Sequence, residues 1–166
     1  MFKKIVLIAL ITLPFAAFAQ EGKIAYLNYG DVITAMPEYK QMTDSLSKSQ
    51  SEFQAEFKVF TDDYTKKMSD YIAQRDSLNQ SIRLRREQEL QDLQQRADNF
   101  QQYAAQKQEE LQQALVAPIH AKLQKIIEEV GKDNNFLYIV NSQVFFFEAP
   151  NAINATPLVK KKLGIQ

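Results

Sequence analysis

The chain has 166 residues with no cysteine and a single histidine, which excludes a disulfide framework, a thiolate nucleophile and a histidine-based metal cluster. Twenty basic side chains balance 20 acidic ones, so no overall charge bias points to nucleic acid. The four glycines stand alone at 22, 30, 131 and 164, which rules out a glycine-rich phosphate loop. In chain order, Lys3 and Lys4 precede an apolar run from Ile5 to Leu13, and Ala17-Phe18-Ala19 stands before Gln20. This is the three-part layout of a secretory signal peptide, expected over 1–19 with cleavage after Ala19. The apolar run is too short to span a bilayer as a mature helix. The mature chain would keep 18 basic against 20 acidic side chains, a net charge of −2.

Residues Lys23–Tyr29 place Ile24, Tyr26 and Asn28 on one face and Ala25, Leu27 and Tyr29 on the other, predicting a largely buried strand. Asp31 opens a short helical stretch, and Pro37 falls where the first turn of a new helix tolerates a missing N–H. From there Leu46, Phe53, Phe57, Phe60, Tyr64 and Tyr71 are spaced by 7, 4, 3, 4 and 7 residues, the spacing of a coiled-coil seam. A helix over 38–75 would be ~55 Å long and needs a partner along its length. Leu93, Ala97, Phe100, Ala104, Leu111 and Ala114 form a second seam. Between the seams, Asp76, Ser77 and Asn79 favour a reversal, with the tip at 76–81. Two readings fit: an antiparallel helical hairpin, and one uninterrupted helix in a parallel dimer.

Pro118 should bend the returning helix, and Gly131 is expected to end it. Phe136–Asn141 and Val144–Ala149 are two β-type runs expected to pair as a hairpin turning at Asn141-Ser142-Gln143. Thr156-Pro157 supplies an N-cap and first-turn proline for a final helix through Leu163, with Lys160, Lys161 and Lys162 at its C-terminus. The fold class is therefore mainly α with a small β body (α+β): residues 20–37 and 119–166 form the body, and 38–118 form a hairpin arm inserted between its first two strands. A body of roughly 70 residues is marginal without disulfides, metals or assembly, which favours a homo-oligomer.

No nucleophile–base pair, metal ligand set or cofactor motif is present in the sequence, so the chain is expected to be non-enzymatic, without cofactor. His120 is expected to be a packed or solvated side chain. Glu109-Glu110 and Glu128-Glu129 do not share helix faces. The aromatic seam is either the core of the hairpin itself or a surface for other chains. Met36, Met42 and Met68 have the flexible apolar character of promiscuous surfaces. Lys66, Lys67, Arg75, Arg83, Arg85 and Arg86 make the tip locally basic. That tip is either a solvated end balanced by pairs such as Arg83 with Glu87, or an attractor of anionic membrane surface and acidic segments. Val144, Phe145, Phe146 and Phe147, with Ile24 and Tyr26, carry apolar bulk that a small monomer covers poorly and are expected at a subunit interface.

The stretches KIAYLNYGDVITAMPEYK and APIHAKLQKIIEEVGKDNNFLYIVNSQVFFFEAPNAINATPLVKKKL, flanking a Gln/Glu/Lys-rich hairpin, resemble the Skp/OmpH family of periplasmic chaperones over essentially the whole mature chain. The resemblance implies a homotrimer with a body of strands from three chains and helical arms enclosing a cavity for unfolded outer-membrane proteins, working without ATP. The chain departs from familiar members in its net charge, where they are basic, and in the aromatic character of Val144–Phe147. A structural coiled-coil spacer or adaptor in the envelope would use the same seams, but has no need of a mixed β body built from both chain ends.

Overall fold

The computed structural model describes residues 22–165; the expected signal peptide and cleavage point lie outside them. The element order is β1 (Lys23–Leu27), α1 (Tyr29–Ala35), α2 (Pro37–Gln74), a 3-10 turn (Arg75–Ser77), α3 (Gln80–Asp133), β2 (Phe136–Asn141), a second 3-10 turn (Ser142–Val144), β3 (Ile153–Asn154) and α4 (Thr156–Leu163). The described residues divide into two compact units, 22–32 with 124–165, and 33–123.

In the first unit, three parallel strands stand in the order β2-β1-β3. β1 is central: Ile24, Ala25, Tyr26 and Leu27 pair with Tyr138, Ile139, Val140 and Asn141, while Ala25 and Tyr26 pair with Ile153 and Asn154 on the other side. Parallel pairing demands a crossover, and the whole of α1 to α3 intervenes between β1 and β2. Ala25 and Leu27 are buried, together with Val32, Val130, Ala155 and Val159. The alternate positions are not: Ile24 is 56% exposed, so β1 is buried on one face only, not largely buried as the pattern predicts.

The expected hairpin between 136 and 149 does not form. β2 pairs with β1 alone and its outer edge stays open, because Val144–Phe147 does not fold back along it as a strand. The Asn141 side chain accepts the Gln143 N–H at 3.3 Å, and Phe145 N–H bonds back to Ser142, which turns the chain out of the sheet. The third strand is instead the two-residue Ile153–Asn154. Gly131 does not end α3. Asn135, in the left-handed region at φ 54°, does, and asparagine is the residue that tolerates this conformation after glycine. Thr156 does not cap its own helix: its hydroxyl accepts the Asn28 N–H at 3.0 Å, and its N–H is held by Asn154 Oδ1 at 2.9 Å. With Ala155 N–H bonding to Tyr26 O at 2.8 Å, this joins the end of β1 to the start of α4. Gly164 in the left-handed region closes α4, its N–H and that of Ile165 reaching Lys161 and Lys160 carbonyls.

The second unit holds the antiparallel pair α2/α3. Contacts between the helices run in opposite senses: Leu46 with Gln108, Phe60 with Phe100, Lys67 with Glu89 and Tyr71 with Glu87. The hairpin reading thus holds over the uninterrupted helix. Pro37 occupies the first turn of α2 as expected. At the reversal, Asn79 accepts the Ile82 N–H through its side chain at 3.0 Å and opens α3. α3 runs through Pro118 without a break. Met36, Met42, Leu90, Leu93, Ile119 and Leu123 are the buried residues of this unit, so two of the three methionines singled out above are core. Leu90 extends the second seam by one step of three; counting from Leu93 misses it.

Candidate functional site

The aromatic seam predicted from spacing is assembled across the hairpin. Phe53 meets Phe100 edge-on at 6.1 Å and Tyr103 at 6.4 Å, and Phe60 lies 5.2 Å from Phe100. Such pairs are worth about 0.5–1.5 kcal/mol each beyond their buried area, so the seam acts as the core of the hairpin. A two-helix pair cannot close over these rings, and Phe53, Phe57, Phe60 and Phe100 remain half-buried. On one side the seam opens into a cleft of about 400 Å³. Phe53, Phe57, Phe100 and Ala104 line its half-buried part, with exposed Gln50, Gln54 and Gln101 around them. Gln108 donates through Nε2 to the Leu46 carbonyl at 3.1 Å, while its buried Oε1 has no partner.

At the tip the six cations separate into two groups. Lys67 bonds Glu89 at 2.5 Å and lies 3.5 Å from Asp63; Arg86 approaches the other Glu89 oxygen at 3.5 Å. The Glu89 carboxylate therefore holds Lys67 above the ordinary lysine range, and Lys67 holds Glu89 below the ordinary carboxylate range. Arg83 does not pair with Glu87: its Nε donates to the Leu78 carbonyl at 3.1 Å and ties down the reversal, while Glu87 accepts the Tyr71 hydroxyl. That carboxylate raises the Tyr71 pKa, with burial adding to it and Arg75 opposing. Lys66, Arg75 and Arg85 are exposed. The tip is thus less basic in effect than its composition suggests, because Asp63 and Glu89 come from outside the stretch counted in sequence.

Four of the six residues expected at an interface are brought together beside the sheet, and Val144 and Phe146 are not among them. Ile24, Tyr26, Phe145 and Phe147 line one cleft of about 150 Å³, closed by Glu148, Ala149 and Ile153. Glu148 accepts a hydrogen bond from the Tyr26 hydroxyl and raises its pKa, an effect reinforced by burial. Phe146 is fully exposed, Phe147 is 80% exposed, and Val144 is exposed with them. Leu137 and Tyr138 of β2 are also exposed; the sequence reading did not single them out, since it assigned no faces to this strand.

Among the described residues no cluster of His, Cys, Asp or Glu could hold a metal ion, and no helix is long and apolar enough to cross a membrane. The model of the family "Outer membrane protein (OmpH-like)" matches residues 23–163. The chain belongs to the OmpH-like family. Its fold is similar to that of the crystal structure of an OmpH-like protein from Caulobacter crescentus CB15, named as an outer membrane chaperone, with a TM-score of 0.75 at 13% identity. The similarity covers 86% of this OmpH-like chain and 83% of the other. No curated protein matches it.

Proposed function

We propose that this OmpH-like chain is an exported, periplasmic, ATP-independent holdase chaperone that shields unfolded outer-membrane proteins from aggregation. The observation that carries the reading is the family match over residues 23–163, supported by a fold shared with a protein named as an outer membrane chaperone. The reading is non-enzymatic: shielding needs many weak contacts acting together and no reacting group.

Assembly is part of the proposal. Parallel sheets are ordinarily covered on both faces, and here the face bearing Ile24, Tyr26 and Tyr138 has only the Phe145–Glu148 segment against part of it. A second copy of the chain, packing on Val144, Phe145, Phe146 and Phe147, would complete that cover, and a homotrimer is the assembly expected. Exposed Lys66, Arg75 and Arg85 at the tip are assigned to acidic client segments or an anionic membrane surface.

The test is dilution of a urea-unfolded outer-membrane β-barrel protein with and without the mature chain, following light scattering. Suppression saturating at about three chains per client is expected. Unchanged scattering at large excess would remove the holdase reading and favour an envelope spacer.

A further inference from the structure

Three features of the α2/α3 cleft coincide. First, all nine residues lining it are uncharged, in a chain whose side chains are 24% charged. Second, Phe57 lines the cleft yet forms none of the ring pairs that engage Phe53, Phe60, Phe100 and Tyr103. Third, Gln108, on the α3 wall opposite Phe57, carries a buried amide oxygen without a donor. A ring without a ring partner and an acceptor without a donor describe the complement of one kind of occupant: a planar aromatic group bearing a single N–H or O–H. Tyrosine and tryptophan side chains have that chemistry, and when buried they need a partner for the polar end.

We propose that this cleft is a recognition subsite for a tyrosine or tryptophan side chain within an uncharged stretch of an unfolded polypeptide, its ring against Phe57 and its donor on Gln108 Oε1 after a small turn of that side chain. This rests on the holdase reading and gives it a chemical preference. Chains destined for transmembrane barrels carry aromatic girdles in strands whose lipid-facing positions are uncharged, so the preference would select the segments most in need of shielding. A charged neighbour would lose its hydration against the glutamines and rings with no countercharge in the cleft, which disfavours charged segments. The volume of about 400 Å³ lies at the small end of ligand pockets, suited to one side chain with flanking backbone.

The chain contains no tryptophan, so the fluorescence of a tryptophan ligand can be read without background. The probe is an uncharged Ser/Gly-rich decapeptide with one central tryptophan, titrated with the full mature chain; peptides with tyrosine, phenylalanine or aspartate-flanked tryptophan compete. We expect a saturable blue shift, with phenylalanine and aspartate-flanked peptides competing about five-fold less well. Phe57→Ala should weaken binding about ten-fold, and the exposed rim change Gln101→Asp should do so about five-fold with helix content by circular dichroism unchanged. Absence of a blue shift, equal competition by phenylalanine, or indifference to both substitutions would overturn the subsite. Aggregation suppression measured on the same preparation separates the two ideas: suppression without indole binding overturns the cleft alone, and indole binding without suppression overturns the holdase reading.

Discussion

Among the described residues Thr156 is the one polar residue in the buried set, and its surroundings explain why a threonine is needed there. Its hydroxyl accepts from Asn28, 128 positions earlier in the chain, at the point where β1 gives way to α1. Valine has the same shape but leaves that N–H without a partner, so Thr156→Val should lower the unfolding free energy by about 1–3 kcal/mol, read from urea denaturation. The pairing was not legible in sequence, where Thr-Pro reads as a local cap. A distant strand end competes successfully for the hydroxyl because Asn154 already holds the Thr156 N–H. Asn135 was missed for a similar reason: Gly131 attracts attention as the helix end, but it sits within the last turns of α3, where an added Cβ would meet only Ile139 at an ordinary 3.7 Å.

At the scale of elements, the seams were legible because heptad spacing survives any choice of aromatic or aliphatic residue, and Pro37 and Asn79 mark the helix starts. Where the spacing skips a step of seven, polar groups fill it: Lys67 between Tyr64 and Tyr71, and Gln108 between Ala104 and Leu111. Strand pairing was not legible, since β-propensity at Val144–Phe147 says nothing of which edges are free. The helix pair also carries charge contacts with a definite pH sense. Glu38 is held below the ordinary carboxylate range by Lys122, as are Glu89 by Lys67 and Glu110 by Lys107. A carboxyl with a depressed folded-state pKa adds stability above its unfolded pKa and loses it as pH falls through the folded one. The midpoint of urea unfolding should therefore be level between about pH 6 and 9 and fall below about pH 4.5. Replacing the three glutamates by glutamine should lower the level portion slightly and flatten the acid limb. The raised lysines Lys67, Lys107 and Lys162 act in the opposite direction, and only on the alkaline side of the ordinary lysine range.

For the whole molecule, the open sheet face sets the prediction. Phe145, Phe146 and Phe147 follow a 3-10 turn and belong to no strand, so serine at all three should leave the β2-β1-β3 register in place. Under the assembly proposed above, that triple substitution should convert a trimer to a monomer in size-exclusion light scattering while helix content is kept. An unchanged mass would move the interface elsewhere. The exposed apolar residues of this segment were legible as a group because apolar bulk on every side of a short segment fits no monomer strand; their irregular backbone was not.

The central position of β1 bears on the order in which the molecule can be made. It is the first described element in the chain, yet both its partners, Phe136–Asn141 and Ile153–Asn154, are near the end. During synthesis β1 must wait, unpaired, for more than a hundred residues, whereas α2 and α3 can pair as soon as α3 is available because their contacts close a short reversal. The hairpin is thus the early, local product and the sheet the late, long-range one. A ribosome stalled after α3 is complete and before residue 144 would carry a finished hairpin beside an incomplete sheet, so a chain broken off there would lack the proposed assembly surface while keeping α2 and α3.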